Sequence, residues 1–81
     1  MRIDKFLKNS RLIKRRTVAK EACDSGRVSV NGKVVKAGYE IKLKDIIEIR
    51  FGENVLRAQV LDLRETSFKD QAKEMFKIIG D

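Results

Sequence analysis

Histidine is absent from these 81 residues, and cysteine occurs once, at Cys23. Without histidine, and with its one thiol on the apolar side of what reads as a helix, the chain offers no metal-ligand cluster and no nucleophile–base pair. A lone cysteine closes no internal disulfide, which fits a reducing cytoplasm. Apolar runs are short. Nothing nears the ~20 residues of a bilayer span, and the N-terminus carries no continuous apolar segment of the signal-peptide kind. Aromatic residues number five, one Tyr and four Phe. Most fall at apolar-face positions, so Phe51 is expected in the core. Tyr39 stays open between core and a base-stacking role.

What the chain has in quantity is positive charge. Nineteen Lys and Arg stand against twelve Asp and Glu, a net +7. Residues 1–50 carry fourteen basic and six acidic residues, a net +8, whereas 51–81 carry five and six, a net −1. Solubility alone does not explain so local an excess. Nucleic acid is the first partner it suggests, anionic lipid the second.

The densest stretch runs from Ser10 to Gly32, with Arg11, Lys14, Arg15, Arg16 and Lys20 at its head. Before it, Ile3, Phe6 and Leu7 form the apolar stripe of a short helix, with Lys5 and Lys8 opposite and Arg2 beside the stripe. Leu12 and Ile13 are expected to plug the junction to a second helix over about residues 15–25. Val18, Ala19, Ala22 and Cys23 share one side of that helix, and Arg16 and Lys20 lie together at its edge. Arg15 would point into the apolar side if fully helical, so it is read as swung out before the helix begins. Cations in a first turn oppose the helix dipole by roughly 0.3–1 kcal/mol each. A bound polyanion reverses that sign, which favours a phosphate partner at Lys14, Arg15 and Arg16.

Gly26 reads as the residue that ends this helix. Val28 and Val30 then alternate with Arg27 and Ser29, and Asn31-Gly32 is the favoured pair for a type I′ hairpin, with Val34-Val35 returning. Ile41 and Leu43 alternate with Lys42 before a turn at Lys44-Asp45. Ile47, Ile49 and Phe51 form the inner face of a further strand, and Leu56, Ala58 and Val60 that of the last one. Phe68, Ala72, Met75, Phe76 and Ile79 then trace a helical stripe, with Ser67 and Asp70 as its capping pair and Gly80 at its end. The order ααββββα gives an α+β domain.

Three blocks in this order, Arg2-Ile3-Asp4-Lys5-Phe6-Leu7, Lys14-Arg15-Arg16-Thr17-Val18-Ala19-Lys20 and Gly26-Arg27-Val28-Ser29-Val30-Asn31-Gly32, resemble the S4-type RNA-binding domain. The resemblance covers residues 1 to about 51. Among S4-type proteins the chain most resembles the stand-alone bacterial RqcP family, related to the heat-shock protein that recycles blocked large subunits. It implies a single domain over 1–81, core 1–51 with a strand and helix in 52–81, in the S4-type (alpha-L) fold: two N-terminal helices on a small, mostly antiparallel sheet, plus a C-terminal helix. It also implies a monomeric, cytoplasmic, non-catalytic binder of large-subunit rRNA and peptidyl-tRNA on obstructed 50S subunits, supporting C-terminal alanine tailing by an RqcH-type factor. Arg2 and Arg16 match the family's RNA-contacting arginines, and Arg11, Lys14, Arg15 and Lys20 are expected on the same surface. Two departures stand out. Arg15 occupies a position where many S4-type domains place a Ser or Thr cap, and Lys44-Asp45 replaces the usual Gly-Asp turn.

Three other readings compete. A generic S4-type binder in subunit recycling or assembly differs only in its target. An RNA-modifying enzyme needs a catalytic site for which 81 residues without histidine leave no room. A membrane-surface domain needs a free apolar face, whereas a core of this size requires them all. The RNA reading carries its own condition: the guanidinium groups must share one side and must not be locked into carboxylate pairs.

Overall fold

The computed structural model describes residues 1–64 and 71–80. Helix α1 spans Ile3–Asn9 and α2 spans Arg16–Asp24. Strands β1 (Val28–Val30), β2 (Lys33–Val34), β3 (Ile46–Phe51), β4 (Asn54–Val60) and β5 (Phe76–Ile78) form one antiparallel sheet in the order β2-β1-β3-β4-β5. A single 3₁₀ turn at Ala72–Glu74 precedes β5.

The local rules read from the sequence operate here. Ile3, Phe6 and Leu7 are fully buried, and with Ala19, Ala22 and Cys23 of α2 they cover Val28, Val30, Ile47, Ile49 and Val60 of the sheet. Each of the Ile, Leu, Phe and Val side chains contributes roughly 1.5–3 kcal/mol by leaving water, the alanines less. Ile13 is buried and Leu12 packs against the core, as a plug between the helices should. Val18, placed by period on the apolar side of α2, is instead 46% exposed, because it sits at the rim of that stripe.

Both helices end and begin in ways that matter for function. At the start of α1, the Ile3 amide donates to the Tyr39 carbonyl (2.8 Å) and the Asp4 amide to that of Ala37 (3.3 Å). Main chain from 37–39 therefore does the work of a side-chain cap. Helix α2 has none: Arg15 is extended (φ −117°, ψ 134°), outside the helix, and no side chain caps it. Its end is a Schellman turn, with Gly26 at φ +86°, its amide on the Cys23 carbonyl and the Arg27 amide on that of Ala22.

The hairpin turn takes the type I′ form, with Asn31 at φ +51° and Gly32 at +88°. Asn31 also ties it to the next turn: its Nδ2 donates to Asp45 (3.1 Å), and its Oδ1 accepts from the Ile46 amide (3.0 Å). Lys44, at the turn where the S4-type resemblance implies glycine, adopts φ +74°.

Three expectations change. Ile41 and Leu43 form no strand: Glu40 makes one isolated bridge to Arg2, and 42–45 is a turn whose Asp45 accepts from the Lys42 amide. Phe51, expected in the core, is 45% exposed, since it lies on the inner face but beyond the cover of the helices. The C-terminal helix is replaced over Ala72–Ile78 by the 3₁₀ turn and β5, which pairs with β4. A short isolated helix is marginal, whereas a strand here closes the bare edge of β4. Phe68 and the Ser67–Asp70 pair lie outside the described residues.

Candidate nucleic-acid interface

The two helices bring Arg2, Arg16 and Lys20 around a shallow depression of about 300 Å³, floored by Asp4 and Thr17. Asp4 is 2% exposed and organises it. Arg2 meets its carboxylate edge-on, Nε to Oδ1 and Nη2 to Oδ2, both at 3.2 Å. Arg16 Nε approaches Oδ2 at 3.5 Å from the other helix, and the Lys5 amide donates to Oδ1 at 2.8 Å.

This geometry bears on the condition set by the sequence. The two arginines do share a carboxylate, but it is one carboxylate for two guanidinium groups. Both side chains remain 49% exposed, and most of their N–H groups point away from Asp4. The pairing orients the cations without neutralising them. They also lie on one side of the molecule, at the junction of α1 and α2.

Lys14, Arg15 and Arg11 do not line the depression. They follow one another along the connection 10–15 that leads into α2, all exposed. None of Arg11, Lys14, Arg15 and Lys20 has a side-chain partner among the described residues. Arg11 sits at φ +62°, directly after the C-cap Ser10. An exposed arginine in a conformation that favours glycine is a strained backbone position. With no acidic residue in the first turn of α2, nothing offsets the three cations at its start.

Asp4 thus has both cations and a backbone amide as partners. Sequence reasoning missed the sharing of Asp4 between helices and the approach of Arg2 to Gly38. A Cβ at Gly38 would stand 4.0 Å from the Arg2 guanidinium. Cys23 is fully buried, and burial, with Asp4 and Asp24 nearby, pushes its thiol up to about 11. That removes it from nucleophilic chemistry at neutral pH. Among the described residues, no helix is long and apolar enough to cross a membrane.

Comparison with known proteins shows the family and the fold. The family model described as S4 domain matches residues 1–47. A protein of Listeria monocytogenes named RQC P-site tRNA stabilizing factor is 52% identical over 81 residues, covering all of this chain and 88% of its own. The protein of that name from Bacillus subtilis is 49% identical, covering all of this chain and 94% of its own. Among solved structures, the trimeric heat shock protein 15 of Vibrio cholerae has the same fold, with TM-score 0.89 at 21% identity over 98% of this chain and 81% of that one. The hypothetical protein HP1423 superposes with TM-score 0.84 at 29% identity over 100% and 99%. The chain therefore belongs to the S4-domain proteins and, within them, to the family of RQC P-site tRNA stabilizing factors, RqcP.

Proposed function

We propose that this chain acts in ribosome-associated quality control as a non-catalytic RNA clamp. It binds an obstructed 50S subunit, contacting large-subunit rRNA and peptidyl-tRNA together, and holds the tRNA while an RqcH-type factor adds alanine to the stalled peptide. It works as a cytoplasmic monomer, residues 1–81 forming one RNA-binding unit. The observation that carries this reading is the Asp4-centred pair of Arg2 and Arg16, two oriented cations on one exposed face. The name of the relatives that match along the whole chain, RQC P-site tRNA stabilizing factor, supports the tRNA and quality-control part of this reading.

The mechanism is positional. Arginine pairs bidentately with phosphate, and its planar fork holds direction as well as charge. Arg2 and Arg16 present such donors at the start of two helices whose angle the core fixes, and Lys20 on α2 and Arg11, Lys14 and Arg15 on the connection add flanking charge. A-form RNA is recognised chiefly through backbone and shape, so little sequence selectivity is expected.

Co-sedimentation with 50S subunits carrying peptidyl-tRNA tests the reading. If about six phosphates are neutralised, log affinity falls with log salt at a slope near −4 to −5. Arg2→Ala and Arg16→Ala are expected to weaken binding without unfolding the chain, at a cost of about 1–2 kcal/mol because each leaves the buried Asp4 carboxylate one guanidinium short. Wild-type sedimentation by both variants overturns it. Alanine tailing in cells lacking the protein, rescued by the wild type and not by Arg16→Ala, tests the finer claim.

A further inference from the structure

We propose that the groove beside the β1–β2 hairpin holds one unpaired nucleotide of the RNA gripped by the arginine site, its base against Tyr39 and its phosphates at Lys33 and Lys36. The inference rests on the RNA-binding reading above and extends it to a second contact.

The groove has a volume of about 570 Å³ and is lined by Asn31, Lys33, Val34, Lys36 and Tyr39 among others, with no carboxylate. That volume lies in the range of small-ligand pockets, roughly 300–1,000 Å³. Tyr39 is 40% exposed and Val34 is exposed beside it. The Lys33 ammonium and the Tyr39 hydroxyl have no partner among the described residues. An aromatic ring and apolar wall flanked by two ammonium groups suit a base with its phosphates, because every base offers a π-face and stacking tolerates sequence.

The parts are held in place. The Tyr39 amide donates to the Lys36 carbonyl (3.1 Å), and the Tyr39 carbonyl accepts from Ile3 at the start of α1 (2.8 Å). Lys36 Nζ donates to the Asp24 carbonyl at the end of α2 (3.3 Å), and the Ala37 amide to the Asp24 carboxylate (3.3 Å). The Tyr39 main chain and the Lys36 ammonium are thus anchored to the helices at whose junction Arg2 and Arg16 lie. Gly38 adjoins both sites, with the Arg2 guanidinium against it and Tyr39 next in the chain. A protein strand docking on edge strand β2 is disfavoured, because β2 offers only two residues for a ladder.

The test uses the full chain and 50S subunits carrying peptidyl-tRNA. Tyr39→Ala is expected to lower affinity roughly 5- to 150-fold with the salt slope unchanged, the mark of stacking rather than ion pairing. Tyr39→Phe should bind as the wild type. Lys33→Ala, an exposed change with no fold cost, should lower the salt slope by about 0.7–0.9. Ultraviolet crosslinking of the wild type should join Tyr39 to a nucleotide. If Arg16→Ala loses binding while Tyr39→Ala and Lys33→Ala bind as the wild type, the groove is no RNA contact and the clamp reading stands. A crosslink from Tyr39 to a protein of the particle also overturns the proposal. If all three variants bind normally, both readings fall.

Discussion

Asp4 and Arg16 lie twelve residues apart and meet at 3.5 Å across the α1–α2 junction, the carboxylate buried and the guanidinium half in solvent. With Arg2 on the same carboxylate, the contact fixes the directions of two cations from two helices. Replacing Asp4 by Asn separates direction from charge. Simple attraction predicts tighter RNA binding, because the chain gains a positive charge. Orientation predicts the reverse, and we expect roughly tenfold weaker binding, the scale of one lost oriented contact. Stability should fall by about 1–2 kcal/mol, since half-exposed arginines regain water when their partner goes. Binding to blocked subunits at fixed salt, beside a urea titration, reads both. Tighter binding by Asp4→Asn would show that only net charge matters.

Arg11 and Lys44 share a positive φ, +62° and +74°, and differ in where they sit. A left-handed residue with a side chain costs about 1–2 kcal/mol, of which the greater freedom of unfolded glycine returns some 0.5–1. Arg11→Gly and Lys44→Gly should each raise stability by about 0.5–1 kcal/mol. If Arg11 contacts phosphate, its variant should also bind RNA more weakly, with a salt slope shallower by about 0.7–0.9. Lys44→Gly should leave the slope nearly unchanged. Equal binding by the two variants removes Arg11 from the interface.

Asn31 gives a third test, on the hairpin itself. Its side chain bonds both Asp45 and the Ile46 amide, and its backbone is left-handed. Asn31→Ala removes both bonds at a position alanine resists, so a loss of about 2–3 kcal/mol is expected. Asn31→Gly keeps the backbone and should lose only about 1 kcal/mol. Thermal or urea melts of the pair rank them. An equal loss in both would assign the whole effect to the side chain.

How far such features can be read in advance depends on how local they are. The stripe Ile3, Phe6, Leu7 needs only helical spacing, and all three are fully buried. Asn31-Gly32 is legible because few residue pairs accept two positive φ values in succession. The sharing of Asp4 by Arg2 and Arg16 depends on how two helices cross, which no spacing encodes. Phe51 obeys the alternation of its strand, but exposure is set by where the helices stop covering the sheet. Phe76 fits a helical stripe with Met75 and Ile79 as well as a strand with Ile78, and the free edge of β4 decides between them. The basic cluster was plain in the sequence, whereas its split into an Asp4-held depression and an exposed connection was not.

Cys23 links the core beneath this surface to pH. Its thiol is buried, and burial first, then the charges of Asp4 and Asp24, raises it from 9.0 to about 11. The folded chain thus holds this proton through a range in which the unfolded chain releases it. Between pH 9 and 11 the unfolded state binds fewer protons, so stability falls as pH rises through that window and is unaffected by this group below it. The full loss amounts to about 2–3 kcal/mol. Urea midpoints at pH 8, 9, 10 and 11 should therefore decline more steeply for the wild type than for Cys23→Ala, whose lysines and tyrosine titrate alike. In the folded protein at pH 8 the thiol should react with a disulfide reagent far more slowly than in urea. Parallel pH profiles for the two proteins would mean that the ionised thiol finds water without unfolding, and that the α1–α2 core opens locally.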